Sequence, residues 1–132
     1  MDQYVIQDIF NKLNHDDRIK MNNVITIYGN LFECVYELKA KGYFTDADLL
    51  QYTNLTILNC NYCENISDKS IRELKGLTTL NCWECQKISD ESIRELKGLK
   101  ELECGCYKNI SDNSIIELKN LTTLICWNCE NI

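Results

Sequence analysis

Proline is absent from this 132-residue chain, histidine occurs once and glycine only five times. With no proline there is no rigid linker and no obligatory break, which suits an unbroken succession of short helices and strands. The lone histidine, His15, sits in the polar turn Asn14-His15-Asp16-Asp17 and reads as a solvated turn residue. No Ser-His, Cys-His or Gly-rich phosphate loop can be assembled, so no catalytic residue is predicted and the protein is expected not to be an enzyme. Positive charge is also scarce. Lys and Arg number 14 against 20 Asp and Glu, a net charge of -6, whereas a nucleic-acid partner would need clustered cations. No apolar run reaches transmembrane length, and the opening MDQYVIQDIF lacks the basic and apolar regions of a signal peptide. Nine cysteines without such a signal predict an intracellular, reducing compartment, cytoplasm or nucleus, where they are thiols or metal ligands rather than disulfides.

What the sequence does contain is repetition. LTTLNCWECQKISDESIRELKG at residues 77–98 is preceded by LTILNCNYCENISDKSIRELKG at 55–76 and followed by LKELECGCYKNISDNSIIELKN at 99–120. A partial copy, LTTLICWNCENI, occupies 121–132. Self-similarity at a fixed 22-residue period marks stacked units, each too small to bury its apolar face alone. The same shift predicts a degenerate unit at 33–54. It lays Phe44-Thr45-Asp46 on Ile66-Ser67-Asp68, Leu49 on Ile71, Tyr36 on Leu58, Leu38 on Cys60 and Glu33 on Leu55.

Each position in a unit has a physical task. Leu77, Leu80 and Cys82 set out an alternating strand whose inward side chains enter the core. Ile88 packs under the turn, and Ser89 and Asp90 carry oxygens that cap a short helix. Ile93 and Leu96 form the buried face of that helix, leaving Arg94, Glu95 and Lys97 to water. Units end on Gly76 or Gly98, or at the same position on Asn54 or Asn120, residues that tolerate a left-handed backbone after a helix. Ahead of the units, Val5, Ile6, Ile9, Phe10 and Leu13 recur at helical spacing. Asp16 or Asp17 is placed to cap a second helix carrying Ile19, Met21, Val24, Ile25 and Tyr28, with Gly29-Asn30 as its stop. The expected organisation is a helical cap over 1–32 and a repeat array over 33–132.

The pattern LxxLxCxxCxxISDxSIxxL across residues 55–132 resembles the cysteine-containing class of leucine-rich repeat, with Cys60, Cys82, Cys104 and Cys126 replacing an inward Leu. That resemblance implies an α/β solenoid with short parallel strands on a concave face, short helices on a convex face and a protein–protein interaction role. The stretch VIQDIFNKLNHDDRIKMNNVITIYGNL resembles an F-box. It lacks the usual Leu-Pro before the first helix, and Tyr28 or Phe32 stands where a late Trp is usual. Together the two resemblances imply a substrate-recognition adaptor. Ile6, Ile9, Phe10, Leu13 and Ile19 would dock on a Skp-type linker of an SCF-type ubiquitin ligase, or else pack on the first unit. Near-identity of neighbouring copies is similar to repeat proteins of amoebae and their giant viruses, an analogy that would place the chain in a host cytoplasm.

The pairs Cys60/Cys63, Cys82/Cys85 and Cys126/Cys129 have the spacing of zinc ligands. One member of each pair replaces a core Leu, however, and in the third unit Tyr107 stands three after Cys104 with Cys106 displaced by one. Buried free thiols are expected, with no metal and no cofactor; zinc-dependent assembly is a third reading. Equivalent cysteines on neighbouring units should sit about 5 Å apart, within disulfide reach. The outward positions form columns: Ile57, Thr79, Glu101, Thr123; Asn59, Asn81, Glu103, Ile125; and Asn61, Trp83, Gly105, Trp127. Trp83, Trp127, Asn59, Asn81, Glu101, Glu103 and Ile125 are the candidate partner-binding residues, complementary to a basic or amphipathic peptide surface. Both tryptophans could instead fold back on the sheet edge. The sequence as given stops after a strand and turn, so Leu121, Leu124 and Ile132 are expected to line an open edge that pairs with a second copy. A self-associating scaffold with no ligase link is the alternative function.

Overall fold

The computed structural model describes residues 3–24, 30–105, 109–129 and 131–132. The chain is α/β. Five strands, β1 (Glu37–Lys39), β2 (Ile57–Asn59), β3 (Thr79–Asn81), β4 (Glu101–Gly105) and β5 (Thr123–Trp127), pair in parallel in chain order. A one-turn helix follows each of the first four: α3 (Asp46–Leu49), α4 (Asp68–Ile71), α5 (Asp90–Ile93) and α6 (Asp112–Ile115). Before them come α1 (Gln3–Lys12), α2 (His15–Val24) and a 3-10 turn (Leu31–Cys34). No helix among the described residues is long and apolar enough to cross a membrane.

Four residues cannot sustain a helix in isolation. Each short helix therefore relies on its cap and its neighbours. Ser67, Ser89 and Ser111 sit extended at the N-cap and accept the backbone N–H of Lys69, Glu91 and Asn113. Thr45 and Asp48 form a reciprocal capping box at α3. Between helices and sheet lies one continuous core containing Leu55, Leu77 and Leu99, Leu58, Leu80 and Leu102, and Ile66, Ile88 and Ile110. Burying each such side chain stabilises the stack by about 1.5–3 kcal/mol.

In three units the Asp after the N-cap residue does not cap its own helix, as the sequence suggested, but reaches forward to the next unit. Asp90 accepts the Ser111 backbone N–H at 2.8 Å and the Ser111 hydroxyl at 2.6 Å; Asp68 does the same with Ser89, and Asp46 with Ser67. Asp46 also accepts the Ser70 hydroxyl at 2.6 Å. Partial burial works to raise Asp46 and Asp90, but bonds from the serine hydroxyls and backbone outweigh it and hold both below the usual carboxylate range.

The unit-closing glycines also differ from expectation. Gly76 and Gly98 are not left-handed; a Cβ there would meet the Leu55 carbonyl at 3.4 Å and the Leu77 carbonyl at 3.6 Å. Asn54 and Asn120 act through their side chains: Asn54 Nδ2 donates to the Glu33 carbonyl in the 3-10 turn, and Asn120 Nδ2 to the Lys97 carbonyl of the preceding unit. Among the described residues other than glycine, the left-handed ones are Tyr62, Glu84 and Asn128, with φ of 59°, 59° and 57°. Each lies third in a CxxC turn. In the first two of these turns the fourth residue's N–H closes onto the first residue's carbonyl: Cys63 to Cys60 and Cys85 to Cys82. CxxC here is a turn spacing.

The first unit follows a different register from that expected. Leu38 pairs with Leu58, not Cys60, and the Ala40 N–H donates to the Asn59 carbonyl. The strand half is thus offset by 20 residues, and the helix half by 22, as the Asp46–Ser67 bond requires. The turn between them is shorter in this unit. Its strand signature is Val35-x-x-Leu38-x-Ala40, with Val35, rather than Glu33, buried opposite Leu55. The missing CxxC turn explains why a rigid 22-residue shift misaligned the strand.

The two N-terminal helices close one end of the core. Asn14 caps α2, its Oδ1 accepting the Asp17 N–H at 3.0 Å, so neither Asp16 nor Asp17 is the cap. Ile25, Tyr28 and Gly29 lie outside the described residues, as do the side chains of Val5 and Val24. Arg18 donates to the carbonyls of Phe10 and Asn11 at the end of α1. His15 is not a solvated turn residue. It is 7% exposed, packs against Phe44 at 4.5 Å, and bonds the Tyr52 hydroxyl through Nδ1 at 2.6 Å and Asp48 through Nε2 at 3.2 Å. Hydrogen bonds from other elements compensate the desolvation of a polar ring, and the turn places that ring against α3.

Candidate protein-interaction face

The parallel register brings the expected outward columns together. Ile57, Thr79, Glu101 and Thr123 are consecutive partners, as are Asn59, Asn81, Glu103 and Ile125, and Gly105 pairs with Trp127. The inward alternates Leu58, Leu80 and Leu102 are fully enclosed, so the outward side chains are not needed to close the core. Ile57 and Ile125 are about two-fifths exposed (38% and 40%) and Trp127 is 66% exposed. Asn81 donates to Glu103, fixing one carboxylate among the outward residues.

Trp83 and Trp127 share a column but not a setting. Trp83 is half-buried and leans over Gly105: a Cβ on that glycine would lie 2.6 Å from the indole Cδ1 and Nε1, and 2.9 Å from the Trp127 carbonyl. The fold-back alternative thus describes Trp83 in part and Trp127 not at all. Tyr62 extends the aromatic rim, 59% exposed with its ring 5.8 Å from Trp83. Sequence reasoning missed Tyr62, because the left-handed turn that carries it was not recognised.

It also missed Lys39 and Lys41. With β1 in its true register, Glu37 continues the first column and Lys39 the second, and Lys41 follows Ala40 as Asn61 follows Cys60. The VxxLxA signature at 35–40 was the available signal. The β1 end of the face thus carries Lys39 and Lys41 beside Glu37, whereas the β4 end carries Glu101 and Glu103.

The thiols are mostly interior. Cys60, Cys63, Cys82, Cys85 and Cys104 are buried, whereas Cys126 is exposed. Cys60 and Cys85, a diagonal pair, bring their sulfurs to 3.9 Å, with Cys85 Sγ 2.9 Å from the Cys60 carbonyl. Their mutual hydrogen bond, together with burial, raises Cys60, and the same bond lowers Cys85. Desolvation pushes Cys63 up to about 11 and Cys104 up to about 12. Cys106 and Tyr107 lie outside the described residues. Among the described residues, no group of three or more His, Cys, Asp or Glu side chains is placed to hold a metal ion.

The residues expected to dock an adaptor are divided. Ile6 and Phe10 are fully buried in the core, Phe10 edge-on to Phe32 at 5.1 Å, which is the packing alternative rather than exposure to a partner. Ile9 is 43% exposed, while Leu13 and Ile19 are half-buried. At the other end Leu121, Leu124 and Ile132 are half-buried against the core. No protein-family model matches the chain, and no curated protein is significantly similar to it.

Proposed function

We propose that this chain is a cysteine-type leucine-rich-repeat solenoid acting as a non-enzymatic protein-interaction module. Its binding surface is the outward face of the sheet. The observation that carries this reading is the exposure of Ile57, Ile125 and Trp127 on one face of a sheet whose other face closes the core. A soluble fold gains nothing from leaving a tryptophan in water, whereas an interface does. Glu101 and Glu103 beside these apolar side chains favour a basic, amphipathic peptide surface.

Chemical-shift mapping with a basic amphipathic peptide tests the reading. Shifts confined to the three outward columns are expected; shifts confined to α3–α6 would overturn it. A ligase-adaptor role rests on the remaining exposed apolar surface of the N-terminal helices, centred on Ile9. Co-elution with a purified Skp-type adaptor, abolished by Ile9→Asp, is the outcome that role requires.

A further inference from the structure

We propose that Cys60 with Cys85, and Cys104 with Cys129, are two peroxide-sensitive thiol pairs, each closing to a disulfide between neighbouring units. This modification stands independently of the interaction reading. The first pair is already in contact, sulfur to sulfur at 3.9 Å, about 2 Å from bonding distance. The CxxC turn makes that contact. The ladder continues past β2, where the Cys60 N–H donates to the Asn81 carbonyl. Left-handed Glu84 then turns Cys85 back, so that its N–H reaches the Cys82 carbonyl. Cys85 Sγ thereby lies 2.9 Å from the carbonyl of Cys60 in the preceding unit. Asn128, also left-handed, stands third in the last CxxC turn, and Cys129 Sγ donates to the Cys104 carbonyl at 3.9 Å. The offset is 25 residues in both pairs.

The remaining turns lack the partner thiol. The same offset from Cys82 falls on Tyr107, and Cys63 donates to the Lys41 carbonyl, where the preceding unit carries Ala40 in place of a thiol. The diagonal relation therefore joins two thiols only at Cys82-Trp83-Glu84-Cys85 and Cys126-Trp127-Asn128-Cys129, the two turns that carry the tryptophans. Oxidation ties each of these turns to the unit before it. The bond between the sulfurs lowers Cys85 and raises Cys60, so Cys85 supplies the thiolate. It is also the more accessible member, 4% exposed against 0% for Cys60. The Cys85 sulfur attacks one oxygen of hydrogen peroxide and the O–O bond breaks. Hydroxide leaves, takes up the proton that the thiol lost, and Cys85 becomes a sulfenic acid. The Cys60 sulfur then attacks the Cys85 sulfur, the S–O bond breaks, and hydroxide departs as water with the Cys60 proton. Two thiols are oxidised and one peroxide is reduced to two waters. In the second pair Cys104 is buried and Cys129 half-buried, so peroxide meets Cys129 first.

The experiment treats the whole folded chain with hydrogen peroxide at neutral pH and alkylates the remaining thiols under denaturing conditions. The unreduced digest is then mapped by tandem mass spectrometry. Links between Cys60 and Cys85 and between Cys104 and Cys129 are expected, each with the loss of two hydrogens, while Cys63 and Cys82 are alkylated. Dithiothreitol should reverse both links, and the oxidised chain should unfold at a higher urea concentration than the reduced one. Cys129→Ser, at a half-buried position, should abolish the second link and leave the first. Exposed Cys126 reports that the oxidant has acted. A pair still alkylated after Cys126 has been oxidised would overturn the proposal for that pair. Links within the CxxC turns of the folded chain, Cys60 to Cys63 or Cys82 to Cys85, would overturn the diagonal pairing itself.

Discussion

The inter-unit carboxylate ladder gives the sharpest quantitative test of how this stack holds together. Asp90→Ala removes two short hydrogen bonds to Ser111 and leaves that serine's backbone N–H and hydroxyl without their acceptor. Hydrogen bonds to a charged group contribute about 1.5–3 kcal/mol each. Water replaces part of this at a half-exposed site, so a loss of about 2–3 kcal/mol is expected. Urea titration followed by far-UV circular dichroism at pH 7 reads it as a lower midpoint. Asp112 occupies the same position in the next unit but is exposed, so Asp112→Ala should cost only the helix-dipole contribution of about 0.3–1 kcal/mol. The pH dependence follows from the lowered pKa of Asp90. A depressed carboxylate stabilises the folded state above its unfolded value of 3.8 and loses that contribution as pH falls through the folded value. The gap between wild type and Asp90→Ala should hold from neutrality to about pH 4 and narrow below it. An Asp90→Ala variant within about 0.5 kcal/mol of wild type, or one no worse than Asp112→Ala, would refute the ladder as a source of stability.

Other substitutions probe the end cap, the turns and the rim. His15→Ala removes the ring's hydrogen bonds to the Tyr52 hydroxyl and Asp48 and leaves a cavity in a buried aromatic cluster; a loss of about 3 kcal/mol in a thermal melt is expected, against about 1 kcal/mol for Tyr52→Phe. Glu84→Asn places a residue suited to the left-handed region at φ 59° and should raise the urea midpoint by the equivalent of about 1 kcal/mol; an unchanged or lower midpoint would count against backbone strain in the CxxC turn. Gly105→Ala forces a methyl into the Trp83 indole and the Trp127 carbonyl. It should cost about 1–3 kcal/mol and red-shift the tryptophan emission as Trp83 is displaced; unchanged emission would show that Trp83 does not rest on that glycine.

The repeat itself was readable from the chain. Period-2 alternation at Leu-x-Cys and the Ser that opens each short helix are local signals, and near-identical copies reinforce them, so the strands, one-turn helices and inward leucines could be assigned without coordinates. The outward columns followed from the same alternation. What the sequence could not reveal depended on contacts between units. Nothing local tells Asp90 to serve Ser111 rather than its own helix, because the stacking distance decides which acceptor is nearer. A shortened turn displaced the register of β1, and only strand pairing shows that Val35, Leu38 and Ala40 form its inward edge and that Lys39 and Lys41 join the face. His15 looked solvated because its neighbours in sequence are polar, yet its neighbours in space are Phe44, Tyr52 and Asp48. Ile6 and Phe10 are a helical stripe in either setting; the open end of the first unit is what claims them for the core. Local chemistry thus determined the elements, while the geometry of stacking decided which side chains are consumed in holding units together and which remain to meet a partner.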